Sequence, residues 1–79
     1  MLIRVTQEDI DLGVVCSGEH CPVALRLREM LPGRKIWVDE HFIFIDEEAY
    51  ETPKLAGLWI EAYDWEDSVQ PFEFELDIA

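Results

Sequence analysis

Apolar and acidic residues alternate without a break over residues 72–78, near the end of the chain. Read as a strand, this stretch puts Phe72, Phe74, Leu76 and Ile78 on one face and Glu73, Glu75 and Asp77 on the other. Same-face residues then stand roughly 6.6 Å apart, so the carboxylates form a regular, extended row. The same period of two appears in residues 2–6, with Ile3 and Val5 facing one way and Leu2, Arg4 and Thr6 the other. Two more β-rich runs, 35–39 and 42–46, flank Glu40-His41, which fits a tight hairpin although neither residue is a favoured turn former. Ile36, Val38, Ile43 and Ile45 are expected in the core. Trp37, Phe42 and Phe44 then share the opposite face, an aromatic surface that is either partly covered or binds a partner.

Three stretches carry helix signals. Thr6-Gln7-Glu8-Asp9 has capping-box spacing, acids fill the first turn, and Gly13 ends an element of barely two turns. Residues 14–20 read as a loop. Cys21-Pro22 opens a second helix with proline at its preferred first position, and Val23, Leu27 and Met30 recur at i, i+4 and i+7, beside Ala24 and Leu31. Arg26, Arg28 and Glu29 are expected to look outward, and Pro32-Gly33 stops the helix. Thr52-Pro53 marks a third start, with Thr52 as the cap. Leu55, Leu58, Trp59 and Ala62, extending to Trp65, are its expected buried stripe, with Gly57, Glu61 and Asp64 outside it. Leaving aside the short first helix, the order is β-α-β-β-α-β. That order predicts an α+β fold, a four-stranded sheet with the two longer helices on one face. The first and last strands should lie near each other, and acids on an edge strand also resist edge-to-edge pairing.

Composition adds a polarity to this picture. The 79 residues support one small acidic domain, residues 1–79, and nine aromatic side chains argue for a folded chain. The formal charge is −12. Residues 1–35 hold five acids and five bases, whereas residues 36–79 hold thirteen acids against Lys54 alone, so the second half carries the whole excess. Such a surface repels nucleic acid and anionic membrane and is steered toward basic partners over a Debye length of ~8 Å. No apolar run approaches the roughly 18 residues of a membrane span, and Met1-Leu2-Ile3-Arg4 lacks the pattern of a signal peptide. The expected setting is cytoplasmic.

Reactive side chains are few. Cys16, His20, Cys21 and His41 are the only thiols and imidazoles, and their spacing matches no zinc pattern, so neither metal nor cofactor is expected. Cys16 and Cys21 are expected to be reduced, with the dipole at a helix N-terminus favouring thiolate at Cys21. Thr6 and Thr52 have capping roles, Ser17 and Ser68 lie in loops without an evident base, and there is no glycine-rich phosphate loop. The chain is not expected to be an enzyme.

Three segments carry a family resemblance: Ile3-Arg4-Val5-Thr6-Gln7-Glu8-Asp9-Ile10-Asp11, Cys21-Pro22-Val23-Ala24-Leu25-Arg26-Leu27 and Pro71-Phe72-Glu73-Phe74-Glu75-Leu76. Together they cover about a third of the chain and resemble the start, middle and end of small phage-encoded proteins, most without assigned function. In size and charge the chain is similar in type to anti-CRISPR proteins and other DNA mimics. The charge and this likeness of type, which brings no binding motif with it, lead to the expectation of an inhibitor that imitates the nucleic-acid backbone and occupies a basic, nucleic-acid-binding host partner such as a CRISPR effector, with no direct contact of this chain to nucleic acid. The candidate partner-binding residues are the row Glu73, Glu75 and Asp77, then Glu61 and Asp64 on the last helix, and Asp46, Glu47, Glu48 and Glu51 before it. The alternative is a phage interaction or assembly protein that binds through Trp37, Phe42 and Phe44.

Overall fold

The computed structural model describes residues 1–78. They form β1 (Leu2–Val5), α1 (Gln7–Leu12), α2 (Pro22–Met30), β2 (Ile36–Val38), β3 (Phe42–Ile45), β4 (Glu48–Glu51), α3 (Lys54–Asp64) and β5 (Phe72–Glu75). The α+β class holds, with three helices and two sheets. In place of one four-stranded sheet, β1 and β5 pair antiparallel with each other, and β2, β3 and β4 form a separate antiparallel meander. The reason lies at the edge of β2. The Val38 N–H donates to the Gly18 carbonyl at 2.9 Å, so the loop between α1 and α2 lies along β2. A side chain at Gly18 would meet the Trp37 ring at 2.3 Å, which is why the loop approaches so closely only with glycine there. The two sheets join instead through α2, which packs against both β1 and β2.

The period-two strands bury most of the side chains expected, but β5 ends at Glu75 instead of running on to residue 78, and Phe72 and Ile78 are only partly buried. Ile3, Val5, Ile36, Val38, Ile43, Ile45, Phe74 and Leu76 are buried in one core with Val23, Ala24 and Leu27 of α2. The β2–β3 hairpin has Ile36 opposite Ile45 and Val38 opposite Ile43. Its turn is closed by Asp39, whose Oδ1 accepts from the N–H groups of His41 (2.7 Å) and Phe42 (2.6 Å). The turn former is thus the residue before Glu40-His41. The second hairpin, which puts β4 on β3, has no signature in the hydrophobic pattern. Glu48-Ala49-Tyr50-Glu51 is an edge strand with only Tyr50 half-buried, and Asp46 makes its tight turn at φ 55°.

Helix starts follow the sequence in two of three cases. At α1 the capping box is complete, with Asp9 N–H donating to Thr6 Oγ1 (3.3 Å) and Thr6 N–H to Asp9 Oδ2 (2.8 Å). Arg26 is not directed outward: its Nε donates to buried Asp9 Oδ2 at 3.0 Å, tying α2 to α1. Pro22 opens α2 after Cys21. At α3 Thr52 is not the cap, because its hydroxyl donates to the Asp39 carbonyl (3.0 Å) and its N–H to the His41 carbonyl (2.9 Å). Thr52 therefore continues the hairpin, and Pro53 stands at the cap position without a side-chain bond.

The face of α3 is rotated from the one expected. Ala56, Gly57, Ile60 and Tyr63 are buried, whereas Leu55, Leu58 and Trp65 are 65%, 56% and 76% exposed. Small residues decide this packing. A Cβ on Gly57 would stand 2.6 Å from the Glu40 carbonyl oxygen, so the helix backbone lies directly against the β2–β3 turn. Trp59 then stacks between Tyr63 (5.7 Å between centroids) and Phe72 (4.5 Å), which in turn stacks on Phe74 (5.5 Å). Its Nε1–H donates to the Gln70 carbonyl at 2.8 Å, so this aromatic column fastens α3 to β5.

Candidate interaction surfaces

The carboxylate row on β5 is exposed but not free. Glu73 lies opposite Arg4 in the antiparallel pair with β1, and Arg4 Nε donates to Glu73 Oε2 at 3.0 Å. The N-terminal ammonium of Met1 reaches Glu75 Oε2 at 3.2 Å. Each pair is solvated and weak, yet it places a cation beside each carboxylate and lowers the local negative field. Asp77 is exposed beyond the strand and has no ionic partner among the described residues. The row offers one unpaired charge out of three.

The second group sits on the β3–β4 hairpin. Asp46 is ion-paired to Arg34 and accepts from the Lys35 N–H at 2.9 Å. The Lys35 backbone bond first, and Arg34 second, hold its carboxyl below the ordinary carboxylate range. Glu48 accepts from the Tyr50 hydroxyl at 3.2 Å, and desolvation together with that carboxylate pushes the phenol upward. Glu47 and Glu51 are exposed, and among the described residues neither has an ionic partner. On α3, Asp64 is half-buried and accepts from the Cys16 N–H at 2.8 Å, so it braces the loop that covers β2, whereas Glu61 is exposed and has no ionic partner among the described residues.

The nine carboxylates therefore do not form one line. Asp46, Glu47 and Glu48 line one site on the β3–β4 turn together with Arg34 and Lys35, and Glu51 and Glu61 line a separate groove of about 520 Å³ between α3 and the start of β3. Glu40, which the sequence pattern did not single out, lines it with them. Phe42 (44% exposed) and Leu58 supply apolar surface to its lining, beside Gly57. Lys54 and His41 also line it, and the His41 ring lies 3.5 Å from Glu40. The sequence hid this grouping, since residues 40, 51 and 61 meet only through the close seat of Gly57 on the turn.

The aromatic face is part covered and part open. Trp37 meets Phe44 edge-on at 5.8 Å and packs on Gly18, while remaining 41% exposed. Phe42 continues the row toward the groove, 6.1 Å from Phe44.

The cysteines divide by burial. Cys16 is exposed at φ 54°, and Cys21 is buried in the core. Burial pushes the Cys21 thiol up, outweighing the N–H groups of Ala24 and Val23 at the start of α2, so the expected thiolate is not favoured there. His20 faces the Ser17 hydroxyl at 3.4 Å. Among the described residues no three His, Cys, Asp or Glu side chains come together in a way that could hold a metal ion, and no helix is long and apolar enough to cross a membrane.

Set against family models, curated proteins and solved structures, the chain matches none of them.

Proposed function

We propose that this protein is a non-catalytic acidic inhibitor that occupies the basic, nucleic-acid-binding surface of a host partner. A CRISPR effector is the kind of target suggested by its likeness in size and charge to anti-CRISPR proteins. One observation carries the reading. Four of the six cations (Arg4, Arg26, Arg28 and Arg34) already face carboxylates, so the outward field is set by unpaired acids, Glu47, Glu51, Glu61 and Asp77 among them. A basic channel that releases counterions to nucleic acid can release them to such a surface as well.

The ion pairs of β5 shift the emphasis within the acidic set. Glu73 and Glu75 are partly neutralised by Arg4 and the N-terminus, whereas Glu51 and Glu61 have no ion pair among the described residues, although Lys54 lines the same groove. The test uses a nucleic-acid-binding partner captured from host lysate and then purified. Its affinity for this protein should fall steeply with salt, and duplex DNA should compete. Charge reversal at Glu51→Lys with Glu61→Lys should weaken binding more than Glu73→Lys with Glu75→Lys, at unchanged circular dichroism. Affinity that ignores salt and DNA would overturn the reading. It would favour binding through Trp37 and Phe42, which the fold leaves more than 40% exposed.

A further inference from the structure

Helix α3 turns a second apolar face to solvent. Positions 55, 58, 62 and 65 follow one another at i, i+3, i+7 and i+10 and fall on one side of the helix, opposite the buried Ala56, Ile60 and Tyr63. Three of them are large side chains more than half exposed, Leu55, Leu58 and Trp65. From residue 55 to 65 the stripe runs about 15 Å. At Leu58 it reaches the groove that Phe42 also lines, together with the carboxylates of Glu40, Glu51 and Glu61.

We propose that this face is the docking surface for an amphipathic helical segment of the partner, with apolar side chains at three- and four-residue spacing and Lys or Arg on its flanks. The inference rests on the reading above for the partner's sign of charge and adds the place and the shape. An apolar stripe of two to three turns beside a groove is what a helix lays its apolar face into. The acid rim selects a cationic segment, with Lys54 and His41 as the groove's basic counterweights. Charge also decides against a second copy of this chain. An isologous pairing through α3 would bring Glu51 and Glu61 of two chains of charge −12 against each other.

The test uses synthetic peptides about five helical turns long on the intact chain. One is built of Leu and Lys with Leu at three- and four-residue spacing, a second has the same composition scrambled, a third is oligolysine, and a fourth replaces Lys with Ser. The patterned Leu/Lys peptide should bind most tightly, and amide shifts in nitrogen-labelled protein should move at Phe42, Leu55, Leu58 and Trp65. Leu58→Ser with Trp65→Ser should weaken that binding about thirtyfold, as removal of an interface hot spot does, with the fold intact because both side chains are exposed. If the scrambled peptide and oligolysine bind equally well and the α3 variant is indifferent, the docking face is overturned while the charge reading stands. If the uncharged patterned peptide binds as tightly, the acid rim has no part and the cationic partner segment is overturned, while the salt dependence of the captured partner still decides the charge reading. Self-association of the protein alone through the α3 face would also overturn the proposal.

Discussion

Gly57 reverses the usual rule for glycine in a helix. Replacing a mid-helix glycine with alanine ordinarily stabilises by about 1 kcal/mol, because the backbone loses less entropy on folding. Here the new methyl would stand 2.6 Å from the Glu40 carbonyl oxygen, a backbone atom held by the hairpin turn. Gly57→Ala should therefore destabilise by about 1–3 kcal/mol, read as a lower melting temperature. A rise in melting temperature would show that α3 can move off the turn at no cost. The two cysteines give a second contrast between neighbours. Cys16 is exposed and Cys21 is buried with its thiol pushed up, so one thiol per chain should react promptly with a disulfide reagent and the other only on denaturation. The alkaline sign follows from the same burial. A thiol whose folded pKa is raised contributes stability that is fully present below the ordinary thiol range and is lost as pH rises through the folded value. A Cys21→Ala variant should have a flatter alkaline limb in its stability profile.

At the scale of elements, α3 separates what hydrophobic pattern can show from what it cannot. Counting large apolar residues favours the Leu55–Leu58 side, and the fold buries the other, because Ala56 and Gly57 admit the helix where bulkier side chains would hold it away. Ile60→Ala should cost about 2–5 kcal/mol, whereas Leu58→Ala should stay within about 0.5 kcal/mol. Denaturant titration of the two variants reads the phase of the helix directly, and equal losses would contradict it. The strands were legible where one face is buried, since Ile36, Val38, Ile43, Ile45, Phe74 and Leu76 follow a strict period of two into the core. β4 was not legible, because an edge strand rich in glutamate has no apolar alternation to reveal it. The candidate site was only half legible for a related reason. Single acids can be read from the sequence, but the meeting of Glu40, Glu51 and Glu61 depends on a close approach of backbone to backbone, which leaves only a glycine as its trace.

The molecule as a whole carries a charge of −12 on 79 residues, and that repulsion acts on every element at once. The pairs that offset it are mostly solvated. Arg4–Glu73, Arg28–Glu19 and Arg34–Asp46 lie at the surface, where each contributes little. The Arg26–Asp9 pair is the exception, being largely sheltered from solvent and built into the cap of α1. Salt weakens both the repulsion and the exposed pairs, but the unpaired acids of the second half outnumber the pairs, so screening should be net stabilising. The melting temperature at neutral pH should therefore rise when sodium chloride is increased from about 0.01 M to about 0.5 M, as the Debye length shrinks from roughly 30 Å to only a few ångströms. Asp46 works in the opposite direction as pH falls. Its carboxyl is held below the ordinary range, so its contribution is present above that range and is lost as pH drops through its folded value. Mild acidification to just above the carboxylate range should leave that contribution intact while protonation of other acids begins to relieve the repulsion. Raising salt there should then produce a smaller gain in melting temperature than at neutral pH. A melting temperature that falls with salt at neutral pH would mean that the ion pairs, and not the excess acids, set the electrostatic balance of the fold.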